Sequence, residues 1–158
     1  FAYHLPLDVH REFGNNVQLG KVLGIEIDGE IGKQNNHPIG LTGTIDQDTD
    51  FDSLKALIAD KLDRQPLAIE GNSRPIRSIA WCTGAAQNYI ELAVAAGVDA
   101  YITGEVSEPT VHIARESGIH FFSAGHHATE RYGVQAIGGH LASKFGIEHQ
   151  FIDIDNPV

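Results

Sequence analysis

The chain has 158 residues, 42% hydrophobic and 20% charged, enough for one domain that buries a real core without staples. Its formal charge of -10, with 11 scattered basic residues and only a weak grouping around Arg74 and Arg77, argues against nucleic acid as a partner. A lone cysteine, Cys82, excludes an intramolecular disulfide and suits the cytoplasm, and no apolar run approaches the roughly 18–20 residues of a membrane-spanning helix. No signal-peptide pattern is visible. The chain lacks methionine and opens on Phe1 inside an apolar run, so it is expected to be an N-terminally truncated or processed form of a longer protein.

In chain order, Phe1-Ala-Tyr-His-Leu-Pro-Leu-Asp-Val-His10 is expected to run as a strand into a polar loop, with Pro6 ending regular pairing. His4, Asp8 and His10 would then converge from a loop at a strand end, where α/β folds meet ligands. The plainer alternative is Asp8 capping a turn between two surface imidazoles. Residues 15–24 pattern as a short amphipathic helix, capped by Asn15 or Asn16 and stopped by Gly24. Residues 25–28 alternate as a strand. The Gly- and Asn-rich stretch 29–38 has the composition of a mobile loop exposing His37, and 38–46 alternates again.

Asp50 or Asp52 caps a helix to about Leu62, with Leu54, Leu57, Ile58 and Leu62 on its inner face. Residues 66–70 and 76–83 are expected strands joined by a turn. Beyond them the rhythm is regular. A helix opened by Gly84 to Ala86 carries Tyr89, Ile90, Ala93 and Val94 and closes at Gly97. A strand over 99–103 follows, then a helix with Pro109 in its first turn, ended by Gly118. A strand over 119–123 leads to a helix from about His127 to Gly146, interrupted near Gly138-Gly139, and 150–154 is the last expected strand. Strands alternating with helices indicate a single α/β unit with a mixed, largely parallel sheet flanked by helices.

Chemistry concentrates in Ser123-Ala-Gly-His-His-Ala-Thr-Glu-Arg131, a tight turn between a strand and a helix. His126 and Glu130, four residues apart, share a helix face, and an imidazole beside a carboxylate makes half of a divalent-metal site. The alternative is a solvated helix start favoured by its dipole. The turns after Thr83, Thr103 and Ser123 follow strands and are expected at one sheet edge, so Thr83-Gly84, Glu105 and His126 would face one cleft. There Glu105 is a candidate general base, or a plain carboxylate beside a helix start. Gly84 and Gly104 are weak phosphate-binding candidates without full loop spacing. Cys82, inside an apolar run, is expected to be buried and inert.

Taken together, Tyr3-His-Leu-Pro-Leu-Asp-Val-His10, Trp81-Cys-Thr-Gly84, Asp99-Ala-Tyr-Ile-Thr-Gly-Glu-Val-Ser-Glu108 and Ala124-Gly-His-His-Ala-Thr-Glu-Arg131 make the chain resemble the GTP cyclohydrolase 1 type 2 homologs, the Nif three-like or YbgI-like dinuclear-metal proteins. The resemblance runs in order over essentially the whole chain. It implies a Nif three-like α/β fold, a ring-shaped homohexamer, and two divalent metal ions (Zn, Fe or Mn) held by five side chains. Three of the five map to Asp8, His126 and Glu130. The other two, adjacent histidines expected upstream, are absent, so the resemblance implies an incomplete site in this chain; His126-His127 belongs to a different motif.

Two functions are in view. One is a metal-dependent hydrolase of GTP cyclohydrolase type, in which a dimetal centre acts on a small nucleotide or related heterocycle and Glu105, His4 or His127 moves protons. The other is a non-enzymatic metal-binding regulatory or interaction protein. An open coordination position separates them.

Overall fold

A computed structural model describes residues 4–34 and 37–158. One sheet of six strands organises the molecule: β1 (Glu26–Gln34), β2 (His37–Thr49), β3 (Leu67–Ile69), β4 (Ile76–Trp81), β5 (Ala100–Thr103) and β6 (His120–Ser123). In space the order is β1-β2-β4-β5-β6-β3. The central β4, β5 and β6 are parallel, with Ile79 beside Ala100 and Ala100 beside His120, while β1, β2 and β3 join antiparallel. The sheet is therefore mixed, as expected.

The parallel strands are buried on both faces, which is why their sequences are continuous apolar runs. Side chains alternate between two cores. Ile79, Trp81, Ile102 and Phe122 pack with α2 (Asn15–Leu23) and α3 (Phe51–Leu62), through Leu19, Leu23, Leu54, Ile58 and Leu62. Ala80, Tyr101 and Phe121 pack on the other side with α4 (Ile90–Ala96) and α5 (Glu108–Ser117), through Ile90, Ala93 and Ala114. Each such Leu, Ile or Phe contributes about 1.5–3 kcal/mol. Gly20 lets α2 approach the sheet, because a Cβ there would meet the Trp81 ring at 2.7 Å. The Trp81 indole N–H donates to the Asn16 carbonyl at 2.8 Å.

Caps follow their chemistry in several places. The Asp50 carboxylate accepts from the Ser53 amide at 2.7 Å, Ser107 and Thr110 form a capping box, and Gly24, Gly97 and Gly118 end their helices with positive φ.

Six expectations change. Of the anticipated first strand, Phe1–Tyr3 lies outside the described residues, and the rest is a helical turn, α1 (Leu5–Asp8), with Pro6 tolerated in its first turn. The stretch 29–38 is a hairpin, not a loop, apart from Asn35 and Asn36, which lie outside the described residues; its glycines allow close strand approach, as Gly29 does against Thr42. Gly14 caps α2, because the Asn15 and Asn16 side chains are engaged elsewhere. Val94 faces outward and is exposed. The last long helix breaks at Arg131, giving α6 (His126–Glu130) and α7 (Tyr132–Phe145), and continues through Gly138, which packs against the His149 ring. Residues 150–154 form no strand; the segment 147–158 is irregular and held by side chains. Among the described residues no helix is long and apolar enough to cross a membrane.

Candidate metal centre

The carboxyl ends of β4, β5 and β6 meet at one edge, as expected of parallel neighbours. The Gly104 amide donates to the Gly84 carbonyl and the Gly125 amide to the Gly104 carbonyl, each at 2.9 Å, stitching the three turns together. α6 starts directly on this edge. Thr129 fixes it, donating to the His126 carbonyl at 3.0 Å and accepting from the Gly84 amide at 3.1 Å. The two amides considered for phosphate, those of Gly84 and Gly104, are thus already engaged.

Beside α6 opens a cavity of about 900 Å³ whose lining includes His4, Asp8, His10, Thr83, His126 and Glu130. The three positions matched to metal ligands, Asp8, His126 and Glu130, therefore border one space although α1 and α6 lie far apart in sequence. His126 stands between two carboxylates: its Nδ1 is 2.7 Å from Glu105 and its Nε2 is 3.2 Å from Glu130. Burial alone would lower the imidazole's pKa, but the Glu105 hydrogen bond and the charges of Glu130 and Glu105 raise it. Glu130 is pushed above the usual carboxylate range by burial and by the charge of Asp8, against the opposing pull of His126 and His4. Gly84, at φ 68°, makes room for Glu130, because a Cβ there would collide with its carboxylate.

Asn15 was not singled out from the sequence beyond its capping role. Its amide donates to Asp8 at 2.7 Å and its carbonyl oxygen accepts from the Gly133 amide at 2.8 Å, tying α1 to α7. Only a three-dimensional view joins those positions.

The remaining candidates separate. His4 is mostly exposed at the cavity mouth, 3.9 Å from Asp8. His10 borders the cavity but turns its Nδ1 to the Glu12 and Phe13 amides, so it stabilises its own turn. His37 is exposed, as expected, and also lines the cavity. His127 points to the far side of α6, 2.7 Å from Asp153, and does not line this cavity. Cys82 is buried as expected, donating to the Ile39 carbonyl at 2.9 Å, and burial with the charges of Asp8 and Glu130 pushes its thiol to about 12.

An imidazole with two carboxylates, one of them partly desolvated beside a like charge, is a donor set that fits a divalent cation. Among the described residues, however, no three His, Cys, Asp or Glu side chains are gathered as a finished cage. Asp8, His126 and Glu130 share the cavity without converging on a point.

A second cavity, of about 620 Å³, lies across α6 between His126, Glu130, Val134 and the chain end. Asp153 braces that end, accepting from Arg131 at 2.7 Å, while Arg64 donates to the Pro157 carbonyl at 2.7 Å.

The GTP cyclohydrolase 1 type 2 homolog of Pseudomonas aeruginosa is 56% identical over 157 residues, which are 99% of this chain and 62% of that protein. The protein of the same name from Vibrio cholerae is 49% identical over 162 residues, with 100% and 63% covered. The chain thus spans less than two thirds of these relatives. Among solved structures, the protein ybgI superposes with TM-score 0.94 at 44% identity, over 100% of this chain and 62% of its own. TTHA1606 from Thermus thermophilus does so at 0.78 and 25%, with the same coverage. Residues 1–157 match the Duf34/NIF3 (NGG1p interacting factor 3) family, and the chain belongs to that family.

Proposed function

We propose that this chain carries most of the active site of a divalent-metal-dependent hydrolase acting on a nucleotide or related heterocycle, in the sense of the relatives' name. The observation that supports it is the meeting of Asp8, His126 and Glu130 on one cavity, with Glu105 hydrogen-bonded to the far nitrogen of His126. Asp8, His126 and Glu130 would hold the metal. Ions bound there would supply Lewis acidity and lower the pKa of water. Glu105 fixes the His126 ring and the nitrogen it offers, as carboxylates do behind ligating histidines. His4, at the cavity mouth and mostly exposed, is placed to exchange protons with solvent.

Elemental analysis and titration with zinc or manganese test the reading. Binding is expected in the 158-residue chain, falling about 10–100-fold in Glu105→Ala and further in Glu130→Gln. GTP turnover should follow metal loading. Absence of metal in this chain and in a longer form bearing an upstream histidine pair would sink the proposal. A non-catalytic metal-binding regulatory role is the second reading, and metal loading without GTP turnover would favour it. The family resemblance adds a homohexameric assembly, which light scattering would test.

A further inference from the structure

We propose that Asn15 is the positioning residue of Asp8: its amide occupies one carboxylate oxygen and so presents the other to a divalent cation in the larger cavity. The inference rests on the metal-site reading and adds to it a residue that touches no metal itself.

Three observations carry it. The first is where the side chain is spent. Asn15 is 4% exposed at the start of α2, yet Gly14 holds the cap position, so the Asn15 amide does not serve its own helix. It bonds instead to two distant segments, Asp8 on α1 and Gly133 on α7.

The second is polarity. The Gly133 amide can only donate, so the Asn15 carbonyl oxygen must face it, at 2.8 Å. The Asn15 NH2 is thereby turned to Asp8 and donates to its Oδ1 at 2.7 Å. An amide free to flip could offer Asp8 either end; this one offers a donor alone. The other oxygen, Oδ2, stands 3.9 Å from His4 Nε2, beyond hydrogen-bond reach. Asp8 and His4 both line the cavity, and the Asp8 side chain is 14% exposed. The arrangement repeats that of Glu105, which takes Nδ1 of His126 while Nε2 faces Glu130. Metal-binding side chains are commonly oriented in this way, by a partner on their other polar atom.

The third is a span. Gly133 lies just past Glu130 and is the one buried residue of α7; a Cβ on it would meet Asn15 Oδ1 at 2.5 Å. One side chain therefore fixes Asp8 relative to the α6–α7 junction, beside the helix that carries His126 and Glu130.

Asn16 supplies the matched control. At 3% exposure its amide donates to the Ile39 carbonyl at 3.1 Å and accepts from the Thr83 amide at 2.9 Å, touching no candidate ligand. Zinc affinity is measured by competition with a chelator for the parent, Asn15→Ala and Asn16→Ala, in the 158-residue chain and in a longer form bearing an upstream histidine pair. Both variants are expected to melt lower without metal. Asn15→Ala is expected to weaken zinc about 10–100-fold, and Asn16→Ala less than about threefold, as a site without a shared partner. A measurement on the parent covers the case of an unfolded variant: by NMR, the Asn15 side-chain NH2 signals are expected to shift in step with zinc while those of Asn16 stay. An Asn15→Ala loss no larger than that of Asn16→Ala, or Asn15 signals unmoved by bound zinc, overturns the proposal, reduces Asn15 to a clamp between helices and leaves the metal reading standing. No zinc in either form removes both.

Discussion

At the residue scale, Glu130 and His126 both make the metal-free protein less stable as pH rises, the one through a growing cost and the other through a lost benefit. The Glu130 pKa is raised by burial and the charge of Asp8, so its ionisation costs stability. That cost is absent below the unfolded pKa, about 4.3, and is complete above the folded value. The His126 pKa is raised, with burial opposing and its two carboxylate partners prevailing. Its contribution is therefore full below about 6.5 and lost as pH rises through the folded value. Above both folded values the metal-free protein bears the first cost without the second benefit. Glu130→Gln is expected to raise its melting temperature there by about 1–4 °C, with the gap closing toward pH 4. A variant that melts lower than the parent at pH 8 would show that the carboxylate is better compensated than the geometry indicates. The i, i+4 spacing made His126 and Glu130 legible as a pair from sequence. Asn15, by contrast, read as a cap, because nothing local says that Asp8 and Gly133 will compete for its side chain.

At the element scale, α6 is a helix of only five residues, too short to be stable by its own hydrogen bonds. It is held by Thr129 at the sheet edge and by the terminal segment on its outer side, where Asp153 accepts from Arg131 and pairs with His127, and the His127 amide donates to the Val158 carbonyl. Asp153→Ala is expected to free that segment, so limited proteolysis should cut within 147–158 several-fold faster while the remainder stays protected. Equal cleavage rates would mean the carbonyl contacts from Arg64 suffice alone. The alternation of Phe151, Ile152, Asp153 and Ile154 resembles a strand, and pattern alone could not reveal that no sheet edge stands beside it. For the same reason the glycines of 29–38 looked like a loop. Their missing side chains are what allow β1 and β2 to approach.

At the scale of the whole molecule, the parallel half was the most readable, since strands buried on both faces and helices ended by glycine leave strong local signals. The antiparallel strands were legible in part, but their pairing and the sheet order were not, because pairing partners are set by distant segments. Trp81, the one tryptophan, sits fully buried where α2 meets the sheet. Trp81→Phe forfeits volume and the bond to Asn16, and is expected to cost about 1–3 kcal/mol, measured by urea unfolding followed by circular dichroism. In the parent, Trp81 fluorescence should change at the same urea concentration as the dichroism, since both cores share one sheet. Separated transitions would mean that the two faces come apart independently.

The place of β3 also has a consequence during synthesis. It is the edge strand farthest from β1, and among the described residues its ladder partner is β6, with Leu67 opposite Ser123 and Ile69 opposite Phe121. On a ribosome adding about 5–20 residues per second, β3 waits roughly 3–11 s before β6 has been made. Through that interval the nascent chain holds a short apolar strand with nowhere to pair, and α3 just before it cannot yet bury its inner face on Phe122. Translation speed through the codons for residues 70–123 is thus coupled to how long this surface is open to chaperones or to neighbouring chains.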